Sequence, residues 1–218
     1  MKGLYAVFAS LLMCSTAQAT TIVLDDFSGT QGPISDLTLD GIAVTNTVGG
    51  RTLSINALSF LAPPQNNLQV SDGILDITNG VGDDSIVRVT RTVGASLIPT
   101  SATNPTLSFV VVRSDNNPTI VTLSVGGTSL GTFNIPGGAN NQTINFLLTG
   151  SQIAAFNAGG VLDLRIDGIP GWDLALNQFG LTFDEPTPTV PEPGTLSLLG
   201  IGLLGLGWSR WRRTGSEK

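Results

Sequence analysis

Apolar and polar residues alternate along most of the middle of this chain, in runs rich in valine, isoleucine and threonine. Residues 21–27, 51–61, 67–78, 85–93, 105–113, 119–125, 128–134, 142–149, 161–169 and 174–183 show the period of two that half-buried strands require. Turn signals separate them. Asp72-Gly73 and Gly126-Gly127 predict tight hairpins, because primed turns need residues that tolerate positive φ. Asp115 to Pro118 and Pro136 to Gly138 read as further turns. One short helix is predicted over 151–158, with Ser151 as its cap and Gly159 as its stop.

Many short strands without helices to cover parallel crossovers predict an all-β fold. The expected form is an antiparallel β-sandwich, jelly-roll-like, which brings the sequence-distant ends together. A solenoid is the alternative, although no fixed repeat length runs through the chain. The 218 residues carry a net charge of −6, which speaks against a nucleic-acid partner. No histidine is present, so a Ser-His-Asp triad, a Cys-His dyad and an imidazole-ligated zinc site are excluded. Residues 20–190 hold five arginines, no lysine and fourteen acidic side chains, a net charge of −9.

The two ends have a different texture. Lys2, an apolar run from Gly3 to Met13 and Ala17-Gln18-Ala19 have the three parts of a secretory signal peptide, residues 1–19, cleaved after Ala19. The single cysteine, Cys14, follows Met13 rather than a small residue, which argues against a lipoprotein. The body, residues 20–184, would then be exported without disulfides and rely on core burial. Residues 185–194 contain Pro186, Pro188, Pro191 and Pro193 and read as a stiff spacer. Residues 195–218 begin with an uncharged apolar run, followed by Arg210, Trp211, Arg212 and Arg213. As a helix, residues 195–211 would reach about 26 Å, enough for a single short transmembrane span with the arginines cytoplasmic.

Pro191-Glu192-Pro193, the apolar run and the basic tail, in that order, resemble the PEP-CTERM sorting signal of exported bacterial proteins. That resemblance implies passage through the export translocase and handling by an exosortase. The helix would be a temporary membrane anchor, and the destination the cell surface or an extracellular polysaccharide matrix. A permanent single-span anchor fits the same hydrophobic pattern. Shorter likenesses to uncharacterised PEP-CTERM surface proteins lie at Asp25-Asp26-Phe27, Gly49 to Leu53 and Gly171 to Phe179. No activity comes with them.

Candidate chemistry within the body is sparse. Trp172, its one tryptophan, is the candidate ligand-binding residue, through stacking on a sugar ring; the alternative is that it plugs the sandwich core. Loop carboxylates suit calcium, and Asp25, Asp26 and Asp184 are candidate ligands where the first and last strands meet. Aspartates also cap turns and keep sheet edges charged. Asp163, Arg165 and Asp167 alternate with Leu162, Leu164 and Ile166, which reads as a solvent-facing ion ladder. No catalytic residue is named and no cofactor beyond calcium. The expected protein is a non-enzymatic surface or matrix protein with a structural or adhesive role, in contact with polysaccharide. The alternatives are a carbohydrate-binding module, calcium-assisted, and a polysaccharide hydrolase acting through two aspartates.

Overall fold

Residues 18–61, 63–186 and 200–203 are described in the computed structural model. Thirteen strands and one helix follow in order: β1 (Gln18–Asp25), β2 (Gln31–Ile34), β3 (Val44–Val48), β4 (Arg51–Ser59), β5 (Asn66–Ser71), β6 (Ile74–Asn79), β7 (Asp84–Val93), β8 (Thr103–Ser114), β9 (Thr119–Val125), β10 (Thr128–Ile135), β11 (Asn140–Leu147), α1 (Gly150–Ala158), β12 (Gly160–Gly168) and β13 (Leu174–Glu185). They form an antiparallel β-sandwich. One sheet runs β11-β8-β13-β6-β5-β2, with β1 also paired to β13; the other runs β10-β9-β12-β7-β4-β3.

The inward positions of both sheets interleave as one core. Leu53, Ile55, Val87 and Ile166 of one sheet and Leu75, Leu107, Val111 and Leu176 of the other are buried. Each such side chain contributes about 1.5–3 kcal/mol by leaving water. Phe109 of β8 joins the layers: it stacks on Phe179 at 5.4 Å and meets Phe133 of β10 edge-on at 5.2 Å. Such pairs add about 0.5–1.5 kcal/mol beyond area burial.

The predicted strands recur with shifted ends, and two strands go beyond the prediction. β2 holds only four residues, one of them Pro33, and β3 borders its sheet, so neither shows a clean buried alternation. The helix cap also differs. It is Thr149 rather than Ser151, because the Gln152 amide oxygen accepts from the Thr149 backbone N–H at 2.6 Å and hydroxyl at 2.8 Å.

Gln18 and Ala19, the last two residues of the predicted signal peptide, begin β1 opposite Glu185 and Asp184. The rest of that segment lies outside the described residues. So do Pro191, Glu192, Pro193, Arg210, Arg212 and Arg213. Of the predicted membrane span, residues 200–203 are helical and the remainder is outside the description. Among the described residues no helix is long and apolar enough to cross a membrane.

Candidate functional site

The charged residues of the body divide into those that hold the fold and those that face outward. Asp25 and Arg51, 26 positions apart, meet as a buried ion pair: the guanidinium donates to Asp25 Oδ1 at 2.8 Å. The Arg51 Nε donates to Gln31 Oε1 at 2.8 Å, and its remaining nitrogen reaches the Ser28 and Gly29 carbonyls. Gln31 in turn donates to the Asn46 and Arg51 carbonyls. Arg91 adds a second cation 3.4 Å from Asp25 Oδ2. Because Asp25 belongs to one sheet and Arg51 to the other, this network ties the layers together at one end.

That arrangement corrects the calcium reading. The register sets Asp25 opposite Phe179 but Ala19 opposite Asp184. Five residues of strand separate the two levels, about 16 Å. The first and last strands are neighbours, yet antiparallel pairing puts Asp25 and Asp184 at opposite ends of the shared ladder. Asp25 already has two arginines. Asp26 accepts from the Ser28 backbone at 2.9 Å, and hydrogen bonds from Ser28 hold its carboxyl below the usual range. Among the described residues no cluster of three acidic or sulfur side chains could hold a metal ion.

Trp172 lies on the β12–β13 connection and is fully buried. Its ring lies against Gly168, where a Cβ would come within 2.5 Å of the indole, and its Nε1 donates to the Ser85 carbonyl at 3.2 Å. No ring face is left for a sugar, so Trp172 is removed as a ligand-binding residue. The neighbouring Asp173 accepts from the Asn79 backbone at 2.7 Å, and burial raises its pKa. Burial, with Asp167 nearby, also raises that of Asp84. Asp83 accepts from the Leu61 and Gln65 backbones and so fixes the β4–β5 connection.

On β12, Asp163 pairs with Arg88 at 2.5 Å and Arg165 with Asp167 at 2.7 Å, while Leu162, Leu164 and Ile166 point inward and are buried.

The outward face of the seven-stranded sheet supplies a different surface. Thr182 of β13 stands between Thr21 of β1 and Thr106 of β8, and Ser108 of β8 opposes Asn145 of β11. Asn104, Thr106, Ser108, Asn145, Thr182 and Asp184 line a groove of about 400 Å³. Asn104 Nδ2 donates to Asp184 Oδ2 at 3.0 Å, and the Thr21 and Thr182 hydroxyls are 3.2 Å apart. Hydroxyls, amides and one carboxylate in a row offer both donors and acceptors, the equipment for holding a polyol. Sequence reasoning placed Thr106, Ser108, Asn145 and Thr182 on strands, left Asn104 and Asp184 just outside them, and missed the groove. The only signal was their polarity at alternate positions, which does not show which strands adjoin. A second concavity, of about 460 Å³, lies beside β9, β10 and β12 and is more apolar, with Pro118, Ile120, Pro136 and Ile169 in its wall.

Several solved structures resemble the fold distantly. A family 11 carbohydrate-binding module from Clostridium thermocellum, in complex with a β-1,3-1,4-mixed-linked tetrasaccharide, aligns over 74% of this chain and 94% of its own, at 10% identity and a TM-score of 0.37. A family 29 carbohydrate-binding module from Piromyces equi aligns over 75% and 90%, at 9% identity and a TM-score of 0.34. No curated protein sequence matches the chain. Residues 189–213 match the PEP-CTERM protein-sorting motif. The chain therefore joins an antiparallel β-sandwich body to a PEP-CTERM sorting motif at its carboxyl end.

Proposed function

We propose that this is an exported protein, held at the membrane as an intermediate by its carboxyl-terminal segment and passed by an exosortase to the cell surface or extracellular matrix. There the sandwich has a structural or adhesive role. The observation that carries this reading is the sorting motif at residues 189–213. The body agrees in character: threonine, serine and asparagine recur at its outward strand positions.

A second reading, a carbohydrate-binding module, is favoured by the groove over β8, β11 and β13. The two readings are compatible, since adhesion to a polysaccharide matrix requires contact with sugar hydroxyls. Catalysis is no part of either.

Fractionating cells that express the full chain, followed by intact mass of the recovered protein, tests the destination. The expected result is surface or medium protein with new termini after Ala19 and near Pro191-Glu192-Pro193. Full-length protein in the cytoplasm overturns the proposal.

A further inference from the structure

The six-stranded sheet ends at β3, whose far edge pairs with no other strand among the described residues. Gly49-Gly50 joins β3 to β4 in a two-residue turn with φ of 59° and 80°, and Val48 faces Arg51 across it. In such a hairpin the flanking pair exchanges hydrogen bonds, so Val44, Asn46 and Val48 bond inward to β4. The backbone groups of Thr45 and Thr47 therefore point outward, and both residues are exposed.

Val44-Thr45-Asn46-Thr47-Val48 reads the same in both directions. A two-fold axis through Asn46 would set Thr45 against Thr47, Val44 against Val48 and Asn46 against Asn46 of a second copy. The outward N–H and C=O groups are then in phase for about four main-chain hydrogen bonds. Isologous contacts require this kind of self-complementarity. Val44 and Val48, 37% and 45% exposed, would lose water, as would Ile42 just before them, at 70%.

Charge agrees. Residues 20–190 carry a net −9, yet no charged residue occurs from Gly41 to Gly50, so two copies meet where no carboxylate repels. The other sheet edges are less suited. β2 is four residues long and contains Pro33, and β10 has a register break between Ser129 and Gly131. Self-pairing of β11 would oppose Asn140 to Leu147. β3 also lacks the lysines, prolines and bulges with which exposed edges are usually protected.

We infer that two copies of this chain associate edge to edge through β3, joining their six-stranded sheets into one antiparallel sheet. The proposal is independent of the sorting role and of glycan binding.

Sedimentation of the purified full chain in mild detergent, across a concentration series, tests it. The wild type should reach twice the monomer mass. Thr45→Lys with Thr47→Lys sets lysine against lysine and should remain monomeric; Thr45→Asp with Thr47→Asp should do the same. An equimolar mixture of the two variants should restore the dimer. A wild type that stays monomeric, or dimers that persist in both charged variants, overturn the proposal. Should those variants fail to fold, Asn46→Cys in a Cys14→Ser background provides a second measurement. Oxidation should yield a disulfide-linked dimer, and its absence overturns the proposal equally.

Discussion

Arg51 makes polar contacts with Asp25, Gln31 and the Ser28 and Gly29 carbonyls, and its guanidinium lies 5.7 Å from the centre of the Phe27 ring. Its burial makes each contact hard to replace, because Asp25 would remain in the interior with only Arg91, 3.4 Å from its Oδ2, opposite it. Arg51→Ala is expected to destabilise the protein by about 3–5 kcal/mol, measured by urea unfolding. Arg51→Met combined with Asp25→Leu should cost clearly less than the sum of the two single changes, since the pair leaves together. Equal or additive losses would mean that the carboxylate and guanidinium act separately. The pairing was not legible in sequence. Asp25 looks like any acidic residue at a strand end, and its partner lies in another sheet. Trp172 was legible only as a choice between plug and ligand, which the Gly168 contact and the bond to Ser85 decide. Asp84 and Asp173, raised by burial, show that outward aspartates are not all solvated alike.

At the level of elements, strands with one buried face were the most readable, because alternation records burial directly. β2 and β3 were not, since β2 has only four residues, Pro33 among them, and β3 is exposed at all positions but Asn46. The helix shows how a short element is positioned by side chains rather than by propensity. Gln152 accepts from Thr149 twice and donates to the Leu130 carbonyl of β10 at 2.5 Å, so one residue both caps α1 and fastens it to the six-stranded sheet. Gln152→Ala should therefore lower stability by about 1–2 kcal/mol, more than a cap alone. Gln152→Glu retains the acceptor but loses the donor to Leu130. Thermal unfolding that ranks wild type above Gln152→Glu and Gln152→Ala lowest fits this double role. A wild-type transition in Gln152→Ala would show that Phe156 packing and the Asn157–Ile98 hydrogen bonds suffice to hold α1.

For the whole molecule, alternation established two packed layers but not the neighbours within them. Sheet order depends on contacts between distant strands, and the groove over β8, β11 and β13 exists only because β13 inserts between β8 and β1. That order also determines how charge is presented. Each of the body's five arginines lies within 3.4 Å of an aspartate: Arg51 and Arg91 share Asp25, and Arg88, Arg113 and Arg165 pair with Asp163, Asp76 and Asp167. The body has no lysine, so its excess of carboxylates has no opposing free cation. An anionic polymer approaching the groove meets Asp184 as well as this surrounding negative field, which acts over about 10 Å at 0.1 M salt. A neutral glucan meets hydroxyls and amides without that penalty. Native gels containing one polymer or the other should show retardation by the neutral glucan and none by alginate at low salt without divalent ions. Thr182→Val with Ser108→Val, which removes two groove hydroxyls, should abolish the retardation while leaving thermal unfolding intact. Retardation by alginate under those conditions, or unchanged retardation of the double variant, would rule out this face as the site of contact with polysaccharide.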